Sequence, residues 1–554
     1  MVSQRHDPAD PALRTPLAAR SCIRLGVMPW RQVDGTTLLA CTAPATVDRS
    51  ALERLLGPVR LAQCAQADID AALTQRHGSA LIARAEASVP PAQSCRNMHH
   101  LRGRLSLMAL ACLAGLATVL APLWVLSALT MIALLSMVAA QGVKVAALLM
   151  ARTAAPPAPP QISDPGLPPV TLLIPLFKER DIATVLLRRL HALRYPRDRL
   201  DVLLILEDDD TQTRAAIRAT PLAPWMRVVV VPRGHVRTKP RAMNYALTFA
   251  KGTIVGIYDA EDAPDPDQLL QIAARFRDDS GVDCLQGILD YYNPCSNWLS
   301  RCFTIEYAVW FRLLLPGLVR MGFAIPLGGT TVFIRRHVLD AVHGWDAHNV
   351  TEDADLGLRL ARYGYRTDVV HTVTREEANN RAWPWVRQRS RWLKGYIVTY
   401  LVHMRRPAAL WHDLGPWRFI GVQLVLLTAI VQFTLAPVLW SFWALPLGLG
   451  HPFASVMGPA VMWGVFAGFI AAEVVALIAG WAALARSPHG GLWPWVPTLM
   501  AYYPMGTLAM YKALWEWVTR PYYWDKTMHG RSDPDIGEST GCSPSPHASS
   551  EARS

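Results

Sequence analysis

Three stretches of the chain run without charge for longer than a water-soluble core allows. Leu105 to Val143 contains no Asp, Glu, Lys, Arg or His over 39 residues, and Phe419 to Ala472 no Asp, Glu, Lys or Arg over 54. Ser487 to Tyr511 adds 25 more. A membrane-spanning helix needs about 20 apolar residues. The first block therefore predicts two transmembrane helices within residues 104–150, hinged near Pro122. The later blocks predict three or four within 417–518. Basic clusters flank them, RNMHHLRGR before the first and VRQRSRWLKG and MRRP before the second. Such flanks mark cytoplasmic ends of spans and meet anionic headgroups, so the net charge of +12 needs no nucleic acid to explain it. Nine cysteines without a Cys-x-x-Cys pair argue against a disulfide framework or a zinc site, and no signal peptide is visible.

Outside the apolar blocks the chain divides further. Residues 1–20 and the serine-rich end read as disordered. Residues 21–85 read as a small α/β domain, with TLLAC a strand and VDRSALERLLG and ADIDAALTQRHG short helices. Residues 151–168 are a proline-rich spacer. From 169 to 400, apolar strands (VTLLIPL, LDVLLILE, MRVVVVP, GTIVGIYD) alternate with helical segments, predicting a mostly parallel sheet covered on both faces. An interfacial helix extends this unit to 416. Ligands bind at the carboxyl ends of strands in such sheets, which places ILEDDD and IYDAED on one rim.

The rim carries the chemistry. Neighbouring acidic clusters repel unless something compensates, and carboxylate oxygens suit Mg2+ or Mn2+ completed by substrate phosphates. Lys239, opening a helix in TKPRAMNYAL, is placed to meet the same phosphates. In TEDADLGLRL, Thr351 reads as a helix N-cap and the acids after it favour the first turn, a position that also suits Asp353 as a base. Arg387, Arg389 and Lys394, on the helix around QRSRW, read as membrane-surface residues.

The ordered set PLFKE, ILEDDD, TKPRAMNYAL, YDAED, TED and QRSRW resembles the membrane-integrated family 2 glycosyltransferases, a branch that includes cellulose, chitin and hyaluronan synthases. The resemblance implies a GT-A-type α/β nucleotide-sugar domain inserted between transmembrane helices, facing the cytoplasm from a bacterial inner membrane. It assigns Glu179 and Glu207 or Asp209, with Asp208 as an alternative, to the nucleoside of a UDP-sugar. Asp259 and Glu261 would hold the metal and diphosphate, Glu261 standing where the family has Asp. Asp353 would be the general base, and Gln388, Arg391 and Trp392 would complete a substrate-binding Gln-x-x-Arg-Trp motif, Arg391 near the diphosphate and Trp392 stacking on the acceptor. YYWDKTMHG resembles a gating loop, with Trp524, Lys526 and Thr527 closing over the nucleotide, inside a 519–554 tail. The implied reaction is inverting transfer to a growing β-linked polysaccharide. The alternatives are transfer of one sugar to a lipid, or a non-catalytic envelope receptor or secretion scaffold.

Residues 21–85 also resemble the N-terminal domain of type II secretion ATPases. Arg24, Leu25 and Gly26 match the start of a cyclic di-GMP motif that the following residues do not continue. A structural or partner-binding domain is the competing reading.

Overall fold

The computed structural model describes residues 2, 7–97, 101–151, 166–179, 182–455 and 457–520. The N-terminal domain comprises α1 (Ala19–Leu25), β1 (Val27–Val33), β2 (Thr36–Cys41), α2 (Arg49–Leu56), β3 (Val59–Gln63) and α3 (Gln66–Ala87). Its strands form one sheet, β1 antiparallel and β3 parallel to β2. Gly26 ends α1 at a φ of 65°, a left-handed cap that glycine adopts without strain. Within the segment read as disordered from the sequence, residues 7–18 lie against this sheet. Trp30 Nε1 donates to Asp7 O at 2.7 Å, and Ala9 and Leu17 are buried. ADIDAALTQRHG is only the first half of α3, a 22-residue helix.

Helices α4 (Leu101–Leu120) and α5 (Pro122–Met150) break at Ala121, where Pro122 starts the second helix with no N–H to lose. The larger α/β unit follows: β4 (Val170–Leu176), α6 (Ile182–Ala192), β5 (Leu200–Glu207), α7 (Thr211–Arg218), β6 (Met226–Val231), α8 (Lys239–Leu247), β7 (Ile254–Ile257), β8 (Ala263–Pro264), α9 (Gln268–Asp278) and β9 (Cys284–Tyr291). Then come α10 (Trp298–Val309), α11 (Leu315–Arg320), β10 (Val332–Arg335), α12 (Arg336–Ala341), α13 (Glu352–Arg362), β11 (Thr367–Glu376) and α14 (Ala382–His403).

The sheet is eight-stranded in the order β6-β5-β4-β7-β10-β9-β11-β8. It is mixed, where a mostly parallel sheet was expected. β6, β5, β4 and β7 are parallel, but β10 enters antiparallel between β7 and β9. The chain reaches β10 only after the long α10–α11 excursion, so it arrives from the rim side. Both faces of the sheet are covered, and β4, β5 and β9 are buried almost throughout, as their unbroken apolar sequences require.

Helix α15 (Pro407–Val422) is broken at Gly415, which takes a φ of 70° just before Pro416. It continues through a π turn into α16 (Thr428–Trp440), followed by α17 (Pro459–Leu484), α18 (Leu499–Tyr502) and α19 (Pro504–Thr519). Among the described residues, four helical stretches are long and apolar enough to cross a membrane: Pro122–Met150, Trp298–Arg320, Pro407–Ala444 and Pro459–Leu484. The second is 67% buried over its most apolar window, against 22%, 17% and 17% for the others, so it packs against the α/β unit.

Among the described residues after 406, two helices are long and apolar enough to cross a membrane; the apolar blocks predict three or four spans there. Pro494, Pro497 and Pro504 interrupt the last block. Its pieces stay beside the α/β unit. Trp298 Nε1 donates to Thr498 Oγ1 at 2.9 Å, and Tyr502 Oη to Glu306 Oε2 at 2.5 Å. Near its other end Lys394 Nζ lies 3.5 Å from Glu516 Oε2.

Candidate active site

The carboxyl ends of β4, β5 and β7 open on one rim, in register through Leu176–Leu206 and Leu173–Ile257. Each supplies a loop. After β4, Lys178 takes a φ of 57° and donates its N–H to Asp210 Oδ2 at 2.5 Å, while Glu179 N donates to Thr213 Oγ1 at 2.8 Å. Asp210, the third acid of EDDD's aspartate run, thus braces the Glu179 loop and caps α7. Its three acidic neighbours diverge. Glu207 turns inward to Arg241 Nη2 at 2.7 Å, and burial raises its pKa against that partner. Asp208 faces Arg214 at 3.5 Å, and Asp209 faces Arg237 at 2.5 Å.

After β7, Lys239 Nζ donates to Asp259 Oδ1 at 2.5 Å and to Gly329 O at 2.9 Å. Against its burial, Asp259, Glu352 and Asp353 hold the ammonium charged, above the usual lysine range. Asp262 lies fully buried beneath the turn. It accepts from Asp259 N at 2.8 Å and from the Thr330 hydroxyl, so it shapes the loop that presents Asp259 and Glu261. Asp265 accepts from Val373 N at 3.2 Å, and Asp267 precedes α9, both serving the turn.

Asp353 opens α13 and faces the same space. A Cβ at Gly329 would sit 3.2 Å from Asp353 Oδ2 and 3.9 Å from Lys239 Nζ, so the bare glycine backbone runs between acid and base. Two residues on, Thr331 holds a φ of 56°, strained for a β-branched side chain and placed, like Lys178, at the rim. Burial raises the carboxyls of Glu352 and Asp353; the charge of Asp353 raises Glu352 further, and that of Asp259 raises both. The helix is anchored by Asp355, whose carboxylate takes Arg359 Nε at 2.7 Å and His403 Nε2 at 3.0 Å. Burial opposes ionisation there, but Arg359 and His403 hold Asp355 below the usual range.

Helix α14 closes the site. Burial pulls Arg391 down against the opposing charges of Glu352, Asp259, Glu261 and Asp353, so its guanidinium feels both acidic groups. Gln388 is buried and accepts from Asn379 at 2.7 Å. Trp392 is held among Phe303, Tyr307 and the Arg389 guanidinium, 4.8 Å from its ring. Two expectations fail on this helix. Arg389 is inward, ion-paired with Glu306, and Lys394 is 1% exposed, facing Glu516. The alternation of basic and aromatic residues looked like a surface helix because the acids that neutralise it, Glu306 and Glu516, are distant in sequence.

Thr351 likewise makes no side-chain cap. Its hydroxyl turns toward Gly395 of α14, where a Cβ would lie 1.9 Å from Oγ1. Glu376, at the end of β11, joins the rim unforeseen. Burial and the charges of Asp262, Glu261 and Asp259 push its carboxyl well above the usual range. Its only sequence signal was an acidic pair, TREEANN, after an apolar strand.

Asp353, Lys239, Asp259 and Arg391 thus meet at one place with Glu261 and Glu352 beside them. Carboxylates outnumber cations there. Among the described residues no three His, Cys, Asp or Glu side chains form a ligand cluster. Asp259 and Glu261 nonetheless give two hard-oxygen donors, the number a magnesium-type site takes from protein when phosphates complete it. Trp524, Lys526 and Thr527 lie outside the described residues, as does the Arg24 side chain. Leu25 and Gly26 line a cavity of about 1240 Å³ between the N-terminal domain and the far end of α8, with Lys251, Arg336 and His343 across it.

Residues 254–503 match the family model described as glycosyl transferase family group 2, and residues 1–83 match an MshEN domain. The chain is 27% identical over 390 residues to a beta-monoglucosyldiacylglycerol synthase of Synechocystis sp., covering 67% of this chain and 77% of that one. It is 28% identical over 293 residues to the cellulose synthase 1 catalytic subunit [UDP-forming] of Komagataeibacter xylinus, covering 50% of this chain and 37% of that one. Among solved structures, a mannosyltransferase from Pyrobaculum calidifontis in complex with GDP-Man and Mn2+ aligns with a TM-score of 0.44 at 20% identity, covering 70% of this chain and 99% of that one.

Proposed function

We propose that this glycosyltransferase, whose residues 254–503 match a family group 2 model and residues 1–83 an MshEN domain, moves a sugar from a nucleotide-sugar, a UDP-sugar first, to an acceptor hydroxyl with inversion. The observation that carries this reading is the convergence of Lys239, Asp259, Asp353 and Arg391 on one rim. Asp353 takes the proton of the acceptor hydroxyl as its oxygen bonds to the anomeric carbon. The bond from that carbon to the diphosphate breaks on the opposite side, and the electron pair leaves with the diphosphate. Lys239 and Arg391 neutralise that leaving charge. Asp259 and Glu261 would hold a Mg2+ or Mn2+ ion, which when bound supplies further charge stabilisation of the diphosphate. Glu179, Asp208 and Asp209 edge the nucleoside side, Glu207 acts through Arg241, and Trp392 offers its ring to the acceptor.

The acceptor is a growing β-linked glycan in the first reading, supported by QRSRW and by the likeness to a cellulose synthase subunit. The second reading, one sugar onto a lipid, is favoured by a packed membrane bundle. Ala133, Met137, Leu439, Phe469 and Ala472 fill the space between α5, α16 and α17 with apolar side chains. The Synechocystis glucolipid synthase points the same way. Sizing the products made from labelled UDP-glucose, UDP-N-acetylglucosamine and GDP-mannose by the protein in nanodiscs decides it. Chains support the polymer reading, and a lipid-linked monosaccharide alone rejects it.

An inner-membrane location with the catalytic domain cytoplasmic follows from the donor's compartment. Two helices of spanning length among the described residues after 406 would return the chain to that face, which suits a closing role for residues 522–530. The cavity beside Leu25 and Gly26, with basic residues across it, makes a regulatory nucleotide such as cyclic di-GMP the partner to test for the N-terminal domain.

A further inference from the structure

The N-terminal domain reaches the donor side of the rim. Helix α3 lies along α8, the helix that begins with Lys239. Asp70 pairs with Arg227 at 2.6 Å, Thr74 Oγ1 stands 2.9 Å from Tyr245 Oη, and Asn244 Nδ2 donates to Ala85 O at 3.0 Å. One apolar core runs from Trp30 and Leu39 through Leu73, Leu81 and Ala85 to Met243 and Leu247. The two units therefore share their interior.

In its last turn α3 sends Glu86 into the loop between β6 and α8. Glu86 Oε1 accepts from His235 N at 2.7 Å and from Val236 N at 3.3 Å, and it stands 3.9 Å from Arg241 Nη1. A carboxylate that takes two backbone N–H groups makes charge-assisted bonds, stronger than neutral ones. The approach is close enough to require glycine. A Cβ at Gly234 would lie 2.2 Å from Glu86 Oε1 and 2.4 Å from Arg241 Nη1. Beyond Val236 the loop carries the donor-side residues directly. Arg237 bonds Asp209 and lies 5.7 Å from the centre of the Phe177 ring, Thr238 caps α8, and Lys239 holds Asp259.

We propose that Glu86 is a positioning residue for the nucleotide-sugar: through this one carboxylate the N-terminal domain sets the loop that carries Arg237 and Lys239. Docking of α3 on α8 then governs donor affinity, so that a partner which shifts α3 is read at the rim as a change in donor binding. This rests on the reading of the rim as the donor site.

The test uses the full chain in nanodiscs, with steady-state kinetics on the donor that turns over and calorimetric binding of UDP in the presence of Mg2+. Glu86→Ala raises the donor KM and the UDP Kd by about tenfold, the effect of losing a charged hydrogen bond. The kcat changes by about twofold or less, because Asp353 and Asp259 keep their places. Glu86→Gln, which retains an acceptor oxygen, falls between. Gly234→Ala, which pushes the loop off Glu86 from the catalytic side, gives the same KM shift and stands in should Glu86→Ala fail to fold. Unchanged KM and Kd in folded Glu86→Ala, or in Gly234→Ala where it stands in, overturn the proposal. A fall in kcat at constant KM also overturns it, since that is the mark of a merely structural residue. If the wild type neither turns over any donor nor binds UDP, the donor reading itself fails and this proposal with it.

Discussion

Lys239 Nζ lies 2.5 Å from Asp259 Oδ1, so the helix-opening lysine and the first acid of the DAE turn are already paired across 20 residues of sequence. A diphosphate drawn to the ammonium and a cation drawn to the carboxylate would divide this pair between them. Lys239→Ala therefore leaves Asp259 uncompensated and removes a phosphate contact. Turnover per unit donor falls by about a hundredfold or more, the scale of losing a charged stabiliser of the transition state. Lys239→Arg recovers part of it. Donor kinetics for the two variants check this, with loss in both expected to sit in kcat/KM.

Asp353→Asn removes the proposed base while keeping the shape of the α13 turn. Turnover drops by about 10²- to 10⁴-fold with UDP binding retained. The pH profile carries the sign. Burial pushes the Asp353 carboxyl up to about 6, and only its ionised form accepts a proton. Activity is thus full above that value and falls as pH drops through it, so the acidic limb of kcat/KM lies above the ordinary aspartate range. The stability effect has the opposite sense. A carboxyl whose folded pKa is raised contributes stability at low pH that is lost as pH rises through the raised value. Asp353→Asn accordingly melts higher than the wild type at pH 8, with the difference shrinking toward acid.

Chelation is expected to stop turnover, and Mn2+ or Mg2+ to restore it. Glu261→Asp keeps the hard-oxygen chemistry but shortens the reach. Its metal concentration for half-maximal activity shifts while kcat at saturating metal stays within about tenfold. Glu261→Ala raises the metal requirement further. Titration of activity against each metal reads both.

Gly395→Ala drives a methyl group toward Thr351 and wedges α14 from α13. The expected cost is about 1–3 kcal/mol, as for overpacked cores, with a loss of activity because Arg391 and Asp353 separate. Thr351→Ala removes Oγ1 and Cγ2, two of the three atoms in the clash, and rescues in part. Thermal unfolding of both single variants and the double variant measures the coupling.

Glu306→Gln strips the partner of Arg389 beneath Trp392 and leaves a largely buried guanidinium unpaired. A loss of about 3–5 kcal/mol is expected from such a break. Glu306→Gln paired with Arg389→Met recovers most of that stability. Unfolding in detergent reads these changes, and the acceptor KM reads the Trp392 ring they support.

Much of this was fixed by local patterning. Uncharged runs of 39 and 54 residues leave few solutions other than long apolar helices, and the unbroken apolar strands require a sheet covered on both faces. The strand-end acids had to share a rim because β4, β5 and β7 run parallel. Tertiary structure alone decided what each charge faces. Arg389 and Lys394 point inward because Glu306 and Glu516 arrive from distant helices, and Glu376 joins the site because β11 lies parallel to β9. The antiparallel entry of β10 and the reach of Glu86 to the loop of His235 and Val236 have the same origin. Periodicity and composition report how a segment meets water or lipid. They hold no record of which distant segment supplies the opposite charge, and in a buried site that partner sets the chemistry.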